Sequence, residues 1–234
     1  LGFLYNRPYG YSRRKDLTPL FVSTTKFRVR IPHFTQRTHQ SLDAWDCRHG
    51  RVLLLTENLD CPDVLVVWDP MTGRRMKLEA PVGYVGAAVL CAAGDDDPGH
   101  VHGDCGLSSF KLALVRGGQD HASLFVCLYK SKSGLWGNVI STTTTALFVW
   151  RKPSVLVGNA LCWLISGGAV LVFDLEMQNL SVIEKPAENH VITSWCLQLV
   201  WMEDGGLGLA VLSELTVQLW VRKSNHDGFV GWVL

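Results

Sequence analysis

Charge is what this sequence has least of. Asp, Glu, Lys and Arg make up 18% of its 234 residues and sum to a net +1. A concentrated basic surface does not follow from that balance, so nucleic acid is excluded as the main partner. No apolar run approaches the ~18 residues of a membrane span, and no secretory signal opens the chain, so no membrane partner is expected. The chain starts on Leu1 rather than Met, which predicts a missing N-terminus. No stretch of ten residues keeps a 3.6-residue apolar period, which excludes a solenoid of helix pairs. The seven cysteines are an odd number, and Cys91, Cys127 and Cys162 sit in apolar, strand-like contexts. They are expected to be reduced, metal-free, buried thiols of a cytoplasmic or nuclear protein. In that setting the acceptor triplet Asn179-Leu180-Ser181 is read as a turn. Hydrophobic residues, by contrast, reach 47%, enough for the core of one large all-β domain.

Those hydrophobic residues fall into a repeat. Residues 64–78 read VLVVWDPMTGRRMKL: an apolar run to Trp68, a turn opened by Asp69-Pro70 and tightened by Thr72-Gly73, and a return to Leu78. This is the pattern of a β-hairpin. Residues 124–139 repeat it with Tyr129 as the aromatic and Ser133-Gly134 at the turn. Residues 170–183 have Phe173-Asp174 and Gln178-Asn179, and residues 217–233 have Trp220 and Asp227-Gly228. A short apolar strand precedes each hairpin, at 50–55, 110–115, 158–165 and 206–212. The marking aromatics recur every 45 to 60 residues or so, the period of a four-stranded propeller blade. The predicted fold is all-β: a β-propeller, partial or complete, of about four to six blades of antiparallel strands. Residues 1–44 are read as an N-terminal strand and loop region or a partial blade, in which 26–31 alternate as a strand and Arg13-Arg14-Lys15 is a solvated loop. Residues 45–234 carry the repeats.

Residues 46–54 (DCRHGRVLL) followed by 67–75 (VWDPMTGRR) resemble the F-box-associated propeller region of plant F-box proteins, kelch-like in its repeats. So do residues 88–94 (AVLCAAG), 151–161 (RKPSVLVGNAL), 203–210 (EDGGLGLA) and the end of the chain from Gln218 to Leu234. The likeness extends from about Trp45 onward and is strongest to the grass branch. It implies a propeller that selects a target protein for a cullin-based ubiquitin ligase. In that family the ligase adaptor is engaged by a helical F-box ahead of the propeller. Residues 1–44 carry Pro8, Pro19 and Pro32 and only a two-residue period, so the adaptor is expected as a partner only through an F-box upstream in a longer protein.

Motifs with chemistry are weak. Cys91, His100, His102 and Cys105 could supply two thiolates and two imidazoles, but C-x8-H-x-H-x2-C is not the spacing of a common structural zinc site. Asp95-Asp96-Asp97 lacks the glycine and the closing glutamate of a calcium loop. Gly205-Gly206-Leu207-Gly208 precedes a strand rather than a helix N-terminus, and Ser166-Gly167-Gly168 is a turn rather than a nucleophile elbow. Tryptophans at blade-regular places, Trp68, Trp163 and Trp220, are expected to pack between blades. The candidate contact residues are the aromatic-basic cluster Trp150, Arg151 and Lys152, with His100 and His102. The expected function is therefore a protein-binding module with an unknown target, without cofactor, metal or enzymatic activity. The alternative is an enzyme or small-molecule binder using a central channel. It is disfavoured because the strands assigned to that channel (VLLL, FKLALV, ALCWLI, GLAVL) are almost purely apolar.

Overall fold

A computed structural model describes residues 2–5, 20–23, 41–57, 64–81, 83–92, 100, 105, 109–120, 122–148, 152–186, 194–213, 215–224 and 230–234. A short pair, β1 (Gly2–Tyr5) and β2 (Leu20–Ser23), comes first. The expected strand at 26–31 lies outside the described residues. Four sheets of four or five antiparallel strands follow, each built from consecutive strands in chain order. The first is β3 (Ser41–Arg48), β4 (Arg51–Glu57), β5 (Val64–Trp68) and β6 (Arg75–Glu79). The second is β7 (Tyr84–Cys91), β8 (Phe110–Gly117), β9 (Ser123–Lys130) and β10 (Leu135–Trp136), with β11 (Ile140–Thr143) also pairing β9. The third is β12 (Val155–Val157), β13 (Ala160–Leu164), β14 (Val170–Asp174) and β15 (Asn179–Ile183). The fourth is β16 (Leu197–Trp201), β17 (Leu207–Ser213), β18 (Thr216–Ser224) and β19 (Val230–Val233). This is the repeated blade of a β-propeller. Two compact units are distinguished, 1–113 with 128–137, and 114–127 with 138–234; β8 and β9 contribute residues to both.

The four marking aromatics occupy one place. Trp68, Tyr129, Phe173 and Trp220 all lie on the third strand of their sheets, and all are buried. In three sheets the register after the aromatic is the same: Trp68 pairs with Arg75, Tyr129 with Trp136 and Phe173 with Leu180, seven positions on in each case. Each hairpin therefore has a four-residue loop whose last residue is left-handed: Gly73 (φ 73°), Gly134 (φ 70°) and Gln178 (φ 49°). Gly73 N–H donates to the Asp69 carbonyl and Gly134 N–H to the Lys130 carbonyl, both at 2.9 Å. Asp69 and Asp174 take equivalent places, each accepting backbone N–H bonds from the loop it opens. Asn179 is thus the first residue of β15 rather than a turn residue. The fourth hairpin differs: β18 runs four residues past Trp220 before Ser224 pairs with Val230. Its expected Asp227-Gly228 turn lies outside the described residues.

The apolar segments ahead of each hairpin are β4, β8, β13 and β17, the second strand of each sheet. Their unbroken apolarity comes from having a paired strand on each side and a largely covered surface above and below. They are not edge strands facing a channel, so their composition says nothing against channel chemistry. In the unit containing both, one face of the third sheet (Cys162, Leu164, Val170) packs on the fourth sheet's Leu197, Leu199, Leu209, Val211 and Trp220. In the other unit, Val52, Leu54, Val66 and Trp68 cluster on one face of the first sheet.

Candidate metal centre

Three side chains converge where β7 gives way to the connection leading to β8. Cys91 is the last residue of β7, and Ala92 N–H donates to the Ser109 carbonyl at 3.1 Å, bringing the ends of the 92–109 connection together. His100 Nε2 lies 3.4 Å from Cys91 Sγ and 3.2 Å from Cys105 Sγ. All three donor atoms are within 4.8 Å of one another, with Cys105 buried and the other two half-buried. A tetrahedral ion with metal–sulfur bonds of ~2.3 Å and metal–nitrogen bonds of ~2.0 Å requires sulfur–nitrogen edges of about 3.5 Å and a sulfur–sulfur edge of about 3.8 Å. The two observed sulfur–nitrogen distances lie close to the first of these edges, and the sulfurs are within 4.8 Å of each other.

The scaffold that holds it comes from far upstream in the sequence. Arg51, the first residue of β4, is 0% exposed. Its Nη2 donates to the carbonyls of Cys105 (3.2 Å) and Ser109 (3.0 Å), and its Nη1 to that of His49 (3.5 Å). Burial pushes the Asp69 carboxyl up. The Thr72 hydroxyl, the Met71 and Thr72 N–H groups and the Arg51 charge together outweigh that and hold it below the ordinary carboxylate value. On the other side, a bulge in β3 between Ala44 and Asp46 accompanies the buried placement of the Asp46 carboxylate. That carboxylate accepts from Val89 N–H at 2.8 Å and Cys47 N–H at 2.9 Å, two residues before Cys91 on β7 in the first case. Burial raises the Asp46 pKa against the opposing effects of Arg48 and these two N–H groups.

This cluster overturns the expectation of a chain without enzymatic potential. Cys91, His100 and Cys105 are able to coordinate a metal ion, which brings a potential for cofactor binding and catalysis. The residues were visible as a candidate set, but their spacing matches no local ligand pair. The second thiol is positioned by an arginine 54 residues away rather than by a short knuckle. His100, expected as a contact residue, has its ring nitrogen between two sulfurs. His102, Trp150 and Arg151 lie outside the described residues, as do Asp95, Asp96 and Asp97. Lys152 is half-buried and its Nζ donates to the Leu197 carbonyl at 3.0 Å; burial lowers its pKa. Two residues before Leu197, in a 3₁₀ turn over Ser194–Cys196, stands Trp195, 86% exposed. Sequence reasoning missed Trp195 because it occupies no hairpin position. Six cysteines are described and none forms a disulfide. Among the described residues no helix is long and apolar enough to cross a membrane.

Four blade-like sheets, three of them with hairpin turns in common register, define a β-propeller protein. The family model described as "F-box protein AT5G49610-like, beta-propeller" matches residues 43–234, and the chain belongs to that family. No curated protein matches it. Among solved structures it is similar to the β-propeller domain of the Trilobed protease from Pyrococcus furiosus, described as having an open velcro topology. That pair is 12% identical with a TM-score of 0.45, over 83% of this chain and 57% of the other. It is also similar to a structural genomics protein of unknown function from Bacteroides thetaiotaomicron, 12% identical with a TM-score of 0.42, over 81% of this chain and 42% of the other. BamB from Moraxella catarrhalis is a third, 10% identical with a TM-score of 0.25, over 79% and 73%. The chain thus spans 57% and 42% of the length of the first two.

Proposed function

We propose that the chain is a protein-interaction scaffold serving as the substrate-recognition propeller of an F-box ubiquitin-ligase receptor. The observation that carries this reading is the F-box propeller family match over residues 43–234. Coupling to the cullin adaptor belongs in this reading to an F-box elsewhere in the full-length protein, and the site of action is the cytoplasm or nucleus. The contact surface is assigned to Trp150, Arg151 and Lys152 together with Trp195. An indole left 86% exposed two residues from the carbonyl that anchors Lys152 supports that assignment. Tryptophan is enriched at interface hot spots, where truncation costs about 2 kcal/mol or more, roughly a 30-fold loss of affinity.

The test is affinity capture of a target by the full-length protein, followed by direct binding measurements with Trp195→Ala and Lys152→Glu. A target that loses affinity with both variants, and whose abundance rises when the full-length protein is depleted, is the expected result. A target bound equally by wild type and both variants refutes the surface. A target whose abundance is indifferent to depletion refutes the receptor role.

A further inference from the structure

We propose that Cys91 Sγ, His100 Nε2 and Cys105 Sγ bind a zinc ion that fastens the 92–109 connection to the end of β7. The donor set selects the metal. Calcium and magnesium take oxygen ligands, and iron–sulfur clusters ask for four cysteines, whereas two thiolates and an imidazole suit zinc. Charge agrees, since two thiolates and a neutral imidazole balance a divalent ion and add no net charge beside the buried Arg51 guanidinium. The geometry is compatible with a central cation. One ring nitrogen stands 3.4 Å and 3.2 Å from two sulfurs. An ion among the three engages all of them at once.

The ligands are held in advance. Cys91 is fixed by its strand, whose edge Asp46 secures at Val89, and the backbone of Cys105 is fixed by Arg51. A binding site preformed in this way loses little entropy when the ion arrives. Binding in turn stabilises the connection, because the metal favours the folded arrangement of its ligands. This inference is independent of the target-recognition reading.

Zinc content and cobalt spectroscopy test it. Protein purified without chelator from zinc-supplemented medium should carry one zinc per chain. Replacement by cobalt(II) should give thiolate-to-metal charge transfer in the near ultraviolet and the visible bands of a tetrahedral ion. Cys91→Ser and Cys105→Ser should lose both signals, while Cys127→Ser, on β9 outside the cluster, should keep them. Because Cys105 is buried and its variant could fail to fold, wild-type protein supplies a second measurement. Chelator should accelerate N-ethylmaleimide labelling of Cys91 and Cys105 by about tenfold, with exposed Cys47 unchanged. Zinc far below one per chain without a cobalt spectrum, zinc retained by Cys91→Ser, or equal acceleration at Cys47 would each overturn the proposal.

Discussion

Replacing Gln178 by glycine should stabilise the protein, and replacing Gly73 by alanine should destabilise it by a similar amount. Both residues close a four-residue hairpin loop of the same register, and both are left-handed, at φ 49° and φ 73°. A Cβ at Gly73 would meet nothing within 4 Å, so the cost of adding one there is conformational rather than steric. Holding an L-residue left-handed costs about 1.5 kcal/mol. Glycine's extra freedom in the unfolded chain gives back about 0.7 kcal/mol. The difference, about 0.8 kcal/mol, is the expected gain for Gln178→Gly and the expected loss for Gly73→Ala. In a chain of this length that is a shift of about 2–3 °C in Tm. Urea unfolding of the two variants and wild type, with unchanged slopes, measures it. Shifts of the same sign, or a neutral Gly73→Ala, would show that the two loops do not share the left-handed position.

Other perturbations read the buried polar framework. Arg51→Met leaves the Cys105 and Ser109 carbonyls without their charged donor and should cost about 3 kcal/mol by urea midpoint, with weaker zinc retention. Asp69→Asn should cost about 2 kcal/mol at pH 7. Because the folded Asp69 carboxyl lies below its ordinary 3.8, its contribution is present above that pH and is lost as pH falls through the lowered folded value, so wild type and variant should converge in acid. Asp46, raised in the folded state, acts with the opposite sign: protonation favours the fold, and that contribution fades as pH rises from 3.8 through its folded value. The pH dependence of stability should accordingly flatten in Asp46→Asn over that window. Cys162, whose thiol is pushed up to about 12 by burial against the opposing charge of Arg222, should resist iodoacetamide at pH 8 until urea unfolds the chain.

Much of the fold was legible residue by residue. Trp68, Tyr129 and Phe173 mark the third strand because an apolar run ending in a turn signal is a local pattern, set by φ/ψ preferences and a two-residue side-chain period. The same locality let Gly73 and Gly134 announce their loops. Gln178 carries no such signal, and only the common register reveals that it does a glycine's work. The rank of a strand within its sheet was not local either. VLLL and ALCWL read equally well as channel lining or as second strands, since a covered face looks the same whatever covers it. The cluster of Cys91, His100 and Cys105 lay furthest from the sequence's reach. Cys91, His100 and Cys105 stood in plain view, but their meeting depends on Arg51 gripping Cys105 across 54 residues and on Asp46 gripping Val89 across 43. Spacing along the chain determined which residues were available. Long-range hydrogen bonds between buried groups, which no local pattern encodes, decided that three of them share a centre.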